Sequence, residues 1–315
     1  AAIGEKIATR EAYGNALAEF GAKYENVVVL DADLAEATKT VKFKKAFPDR
    51  FFDCGIAEGN MVAIAAGIAT TGKIPFCSSF AMFTAGRAFE QIRNAVGYPH
   101  LNVKIGATHA GITVGEDGAT HQCLEDIGTM RTIPGMTIIN PADAVEARAA
   151  VEAAINFTGP VYLRFGRMAV PVLYGNDYDF KIGRGTKMAE GNDVSIICAG
   201  IMVEQALGAR EILASEGICA SVVNMATIKP IDEAMVIAET QRCGAIVTAE
   251  EHSVIGGLGA AVCETLARTC PVPVIRTGIK DTFGKSGTAK ELITYFGLDA
   301  QSIAENAKAA IALKK

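Results

Sequence analysis

Apolar positions along this chain fall by turns into short unbroken runs and into helically spaced stretches. Val27-Val-Val-Leu30 reads as a buried strand ending at Asp31-Ala-Asp33, preceded by an amphipathic helix over Arg10–Tyr24. Phe51–Gly55, Gly72–Ser79, Val103–Ala107, Met136–Ile139 and Val161–Phe165 read as further strands. The helices Ala57–Thr70, Ala81–Val96 and Ala142–Asn156 lie among them, with another starting near Leu124. Strands separated by helices of this length build βαβ units, and hence a parallel sheet covered on both faces.

The rhythm breaks at residues 168–190, where Gly, Pro and Asp surround a Tyr178-Asp-Phe180 cluster. It restarts with strand Val194–Ala199 and helix Val203–Glu216, then strand Ala220–Asn224 and helix Asp232–Cys243. Strand Ala245–Glu250, helix Gly257–Arg268 and strand Val272–Gly278 follow, and helices Thr288–Phe296 and Ser302–Lys314 close the pattern. The fold class expected is α/β, with two doubly wound domains that each hold a mostly parallel sheet. The divisions are a domain over residues 1–170, a linker over 171–190 and a second domain over 191–315.

Composition narrows the chemistry. Half of the 315 residues are hydrophobic and 21% are charged, which excludes an intrinsically disordered chain. A net charge of −5 with mixed signs lacks the basic stripe of a nucleic-acid binder. The most apolar run, near Met61–Ala69, is well short of the ~20 residues that span a bilayer. No basic-then-apolar segment opens the sequence, so a cytoplasmic location is expected. Eight cysteines occur without any CxxC, and four histidines without an HxxxH pair, so buried thiols are expected rather than zinc ligands. Neither GxGxxG nor GxxxxGK[ST] is present, and Gly256-Gly-Leu-Gly259 reads as close helix packing.

Ligands of open α/β sheets bind at the carboxyl ends of the strands. Four polar clusters fall there: Asp31-Ala-Asp33, Ile56-Ala-Glu58-Gly-Asn60, Ser78-Ser-Phe80-Ala-Met-Phe83, and Thr108-His109 with the loop Gly115-Glu-Asp117-Gly-Ala-Thr-His121. Arg164 and Arg167 follow a fifth strand. Singly, each has a plain role: Glu58 as a helix cap, His121 as a surface side chain, the phenylalanines as core. Their gathering on one rim favours a site.

Those motifs carry a resemblance. Ile56-Ala-Glu58-Gly-Asn-Met61, Ser78-Ser-Phe80-Ala-Met-Phe83, Ala107-Thr-His109 and Gly115-Glu-Asp-Gly-Ala-Thr-His-Gln122 resemble the pyrimidine-binding domain of transketolases. Lys6-Ile-Ala-Thr-Arg10 and Asp31-Ala-Asp33-Leu34 fit the same pattern. Ile228-Lys-Pro-Ile-Asp232, Glu250-Glu-His-Ser253 and Asp281-Thr-Phe-Gly-Lys-Ser-Gly287 resemble the transketolase C-terminal domain. The resemblance covers essentially the whole chain. It implies a thiamin-diphosphate-binding fold followed by a transketolase C-terminal domain-like fold. The Gly-Asp-Gly with which transketolases hold magnesium and diphosphate does not occur here.

The resemblance therefore implies the C-terminal subunit of a split transketolase. A separate N-terminal diphosphate-binding subunit would hold most of the Mg2+ and complete the thiamine diphosphate site, in an α2β2 heterotetramer. It further implies that Glu58 hydrogen-bonds the pyrimidine, that Phe80 and Phe83 wall it, and that Asp33 supports the cofactor's surroundings. His121 would transfer protons during carbon–carbon cleavage and Asp117 would bind a sugar hydroxyl. Arg10, His109 and Arg167 would meet the sugar phosphate, while Arg164 would be structural. Two departures stand out: Gly86 where the family usually has a third aromatic, and Ala37, followed by Thr38, where it has a serine. Rival readings are the β subunit of a 2-oxo acid dehydrogenase E1 component, a deoxyxylulose-phosphate synthase-like enzyme, and a non-catalytic scaffold subunit.

Overall fold

The computed structural model describes residues 1–314. Its strands, in chain order, begin with β1 (Lys6–Ala8), β2 (Val27–Asp31), β3 (Phe51–Asp53), β4 (Ile74–Phe80) and β5 (Lys104–Thr108). They continue with β6 (Thr137–Ile139), β7 (Val161–Arg164), β8 (Ala169–Pro171), β9 (Thr186–Ala189) and β10 (Val194–Cys198). The last four are β11 (Ala220–Asn224), β12 (Thr227–Lys229), β13 (Ile246–Ser253) and β14 (Val274–Ile279).

Two main sheets result, ordered β12-β6-β7-β5-β4-β2-β3 and β14-β13-β10-β11-β9. All pairings within them are parallel except β12 on β6 and β9 on β11, both at edges. Helices cover both faces of each sheet, so β2, β4, β5, β7, β10 and β11 are buried along their whole length. Continuous burial of this kind is expected of doubly covered strands. β4 and β5 lie side by side at the middle of the larger sheet. Their carboxyl ends, Phe80 and Thr108, are in register with each other.

Several elements depart from the expected ones. The stretch 171–190, expected to be a linker, is packed: β9 joins the second sheet, and Tyr174 and Tyr178 stack with ring centroids 3.9 Å apart. Glu146, on the helix Ala144–Asn156, bonds Tyr178 and also Asn224 of β11. Burial raises the Glu146 carboxyl to about 7. β12 comes from the second half of the chain yet extends the first domain's sheet, so Ile228-Lys-Pro-Ile-Asp232 ties the domains together. There Lys229 Nζ donates to the carbonyls of Arg131 and Ile133. Asp232 caps the helix Glu233–Cys243 by accepting from Met235 N–H at 3.0 Å. The helix expected over Ala81–Val96 is instead two wide π-helical turns, Met82–Arg87 and Ile92–Gly97, flanking Phe89–Gln91. Such turns cluster at functional sites because they re-aim side chains.

All eight cysteines are free thiols. Cys77, Cys123, Cys198 and Cys243 are buried, Cys54, Cys263 and Cys270 half-buried, and Cys219 is exposed, a correction to uniform burial. No helix among the described residues is long and apolar enough to cross a membrane.

Candidate active site

Glu58 opens the helix Glu58–Ala69, and its carboxylate is buried. Its one hydrogen bond among the described residues is to the guanidinium of Arg87, at 2.9 Å from Oε2. Arg87 ends the first π-helical turn and also lies over the Phe83 ring, 5.1 Å from its centroid. Phe83 stacks against Phe80, with centroids 5.7 Å apart and planes at 13°. Phe80 in turn stacks on His109 at 3.8 Å. The His121 ring stands edge-on to both phenylalanines, 5.4 Å from Phe83 and 6.4 Å from Phe80. The expected carboxylate, aromatic wall and two histidines are thus one connected cluster.

His109 follows β5 with a positive φ of 56°. Its Nε2 lies 3.0 Å from Arg10 Nη1, and its Nδ1 lies 2.9 Å from the Thr108 hydroxyl. A guanidinium only donates, so Nε2 must accept and the proton sits on Nδ1. Burial, reinforced by the charges of Arg10 and Arg167, pushes His109 down to about 3, so the ring is neutral at physiological pH. With both nitrogens engaged inside the chain, His109 acts here on Arg10. Arg10 also donates to the Ala37 carbonyl at 2.9 Å, and its buried Nε has no partner. Burial pushes its guanidinium below the ordinary arginine value, with a smaller contribution from Arg167.

The glycine-rich loop completes the rim. Its Asp117 carboxylate lies 3.6 Å from Arg167 Nη1, and that guanidinium also donates to the Val114 carbonyl. The loop is anchored from the second domain. Gln122 Nε2 donates to the carbonyls of Ile112 and Lys285, and the Glu251 carboxylate accepts from Thr113 N–H at 2.7 Å. Gly111 is required there: φ is +79°, and a Cβ would come within 2.1 Å of the Glu251 carboxyl carbon. Burial raises Glu251 to about 7 against the opposing charge of Arg164. Arg164 is itself buried, paired with Asp126 at 2.8 Å and bonded to the Glu251 carbonyl, consistent with a structural part.

Two expectations look different in place. Asp33 is exposed with φ +61°, and its carboxylate makes no hydrogen bond among the described residues. The buried carboxylate of that run is Asp31, whose oxygens accept from Leu34 N–H and from the hydroxyls of Thr38 and Thr40. Burial raises Asp31 to about 6. Thr38 is therefore committed to Asp31 and cannot stand in for the serine missing at Ala37. Arg87, Gln122 and Glu251 escaped sequence reasoning. Gln122 and Glu251 lay within quoted motifs and Arg87 in none, and none sits at a spacing that signals its contact.

The donor set fits a pyrimidine ring: one buried carboxylate with its Oε1 unpaired, beside stacked aromatic faces. No group of three or more His, Cys, Asp or Glu side chains among the described residues could hold a metal ion. Gly256–Gly259 offers no phosphate cradle either, because the Glu250 carboxylate already accepts from the N–H groups of Leu258 and Gly259.

Comparison with known proteins agrees with this geometry. Residues 5–172 match the model of the transketolase pyrimidine binding domain, and residues 183–303 that of the transketolase C-terminal domain. A putative transketolase C-terminal section of Methanocaldococcus jannaschii is 52% identical over 94% of each chain. A 6-deoxy-6-sulfo-D-fructose transketolase subunit of Clostridium sp. is 43% identical over 93% of this chain and 91% of its own. The solved structure of a split-gene transketolase, described as an inactive β4 tetramer, superposes with a TM-score of 0.92 at 52% identity, covering 98% of this chain and all of that one. With both domain models matched and relatives aligned along nearly their full length, this chain belongs to the transketolase family.

Proposed function

We propose that this chain is the C-terminal subunit of a thiamine-diphosphate-dependent, two-chain transketolase. It would move a two-carbon ketol unit from a ketose phosphate, such as xylulose 5-phosphate, to an aldose phosphate. The observation that carries this reading is the cluster itself: a buried Glu58, the Phe80–Phe83–His109 wall, and the Arg10 and Arg167 cations together at one sheet edge. A scaffold has no physical need of a buried carboxylate facing stacked rings. The two-chain reading draws on the relative named as a C-terminal section and on the split-gene structure. It also draws on a donor set suited to a pyrimidine ring.

Thiamine diphosphate, when bound, supplies the nucleophilic carbon and the electron sink for carbon–carbon cleavage. The chain's own groups do the rest. Glu58 would share one proton between its Oε1 and the pyrimidine N1′, while Phe80 and Phe83 hold the ring by stacking. His121 exchanges a proton with the donor sugar's hydroxyl, within reach of the ring that the phenylalanines fix. Asp117 accepts from a sugar hydroxyl. Arg10 and Arg167 bind the phosphate by charge-assisted hydrogen bonds. Neutral His109, locked as the Nδ1–H tautomer, holds Arg10 in place. The partner chain would bring the diphosphate and Mg2+ ligands, in an α2β2 assembly.

The test is ketol transfer from xylulose 5-phosphate to ribose 5-phosphate with thiamine diphosphate and Mg2+. It is run on this chain alone and after adding the candidate N-terminal subunit. Activity only in the mixture, nearly abolished by Glu58→Gln with assembly intact, is expected. Activity of this chain alone, or none from a verified complex, would overturn the proposal.

A further inference from the structure

Glu58 is a carboxylate with 2% of its side chain exposed, and Arg87 is its sole hydrogen-bond partner among the described residues. The contact uses only Oε2; Oε1 has no partner among the described residues. Arg87 keeps 55% of its side chain exposed and covers the Phe83 ring, so it reaches from solvent across the aromatic wall to the buried group. Removing the one cation that faces a carboxylate at that depth leaves it without a partner. Gly86, just before Arg87, adds no side chain: a Cβ there would approach only the flexible end of Met82.

We propose that Arg87 is the positioning residue of Glu58: it holds Oε2 as its ion-pair partner and leaves Oε1 free for the pyrimidine of thiamine diphosphate. This rests on the function proposed above. The π-helical turn Met82–Arg87 has a reason in this reading, since it presents Phe83 and Arg87 to the same ring site. The exposed guanidinium keeps its hydration on one side, so the pair avoids the full cost of burying two charges.

Two measurements decide it. In the chain alone, Arg87→Met is expected to lower the urea midpoint more at pH 8 than at pH 5.5, and adding Glu58→Gln should remove that loss. In the complex with the N-terminal subunit, Arg87→Met should move the acidic limb of the kcat/KM profile up by about one pH unit or more. It should also weaken thiamine diphosphate binding, and Arg87→Lys should restore both largely. A profile and affinity unchanged by Arg87→Met would overturn the proposal, as would additive, pH-independent effects of the two substitutions in the chain alone. Should the wild-type complex transfer no ketol group, the function proposed above falls; the chain-alone cycle still tells whether Arg87 is Glu58's counter-ion.

Discussion

Replacing Glu251 by Gln should flatten the pH dependence of stability in a predictable way. The carboxyl is buried beneath the glycine-rich loop, and its Oε1 accepts from Thr113 N–H. Burial lifts it from 4.5 to about 7, while the Arg164 charge and the Thr113 N–H pull the other way. A folded-state value above the unfolded one means that the native state binds the proton more tightly. The resulting stability is fully present below pH 4.5 and is lost as pH rises through 7. A shift of about 2.5 units corresponds to roughly 3 kcal/mol in all, of which about 2.5 kcal/mol falls between pH 5 and pH 8. Glutamine keeps the acceptor for Thr113 N–H, and its amide can donate to Thr113 Oγ1, which is buried without a partner. Urea unfolding of both proteins at half-unit intervals from pH 5 to 8 reads the difference. The stability of Glu251→Gln relative to wild type should climb by about 2–3 kcal/mol over that range, about 1 M in midpoint at a slope near 3 kcal/mol/M. Curves that stay parallel within about 0.5 kcal/mol would show that Glu251 is already ionised at pH 5, and that its burial does not govern its charge.

Other expectations follow from the same contacts. Arg164→Met strands the Asp126 carboxylate, whose burial pushes it up and whose arginine holds it below the usual range. It should cost about 3–5 kcal/mol in urea unfolding, whereas a loss under 1 kcal/mol would mean that water reaches Asp126. Arg167→Ala should lower kcat/KM for phosphorylated acceptors about 10- to 100-fold in the assembled enzyme and spare non-phosphorylated ones; equal losses would assign the arginine to holding the Val114 carbonyl. His121→Ala should slow single-turnover donor cleavage about 100-fold or more with cofactor affinity unchanged, and unchanged cleavage would remove it from proton transfer.

The fold was legible in the sequence because buried strands carry short apolar runs, Val27–Leu30 in β2, Ile196–Cys198 in β10 and Val222-Val223 in β11. The site was legible through groups adjacent in sequence: Glu58 at a helix start, Phe80 at a strand end, His109 one residue past another. The antiparallel edge strands were not. β12 and β9 are short and half-irregular, and each is defined by an antiparallel neighbour far along the chain. A pairing of that kind leaves no periodicity to read.

Sequence alone pointed to Glu58, Phe80, His109 and the glycine-rich loop, since strand ends and glycine turns declare themselves locally. Tertiary structure decided what each does. Residues 29 positions apart became the Glu58–Arg87 ion pair, and Thr113 found its carboxylate 138 residues away. It also bonded His109, expected to meet the sugar phosphate, to Arg10, and gave the Thr38 hydroxyl to Asp31. Charge state and hydrogen-bond commitment depend on burial and on the nearest partner in space, and neither is a property of a residue's place along the chain.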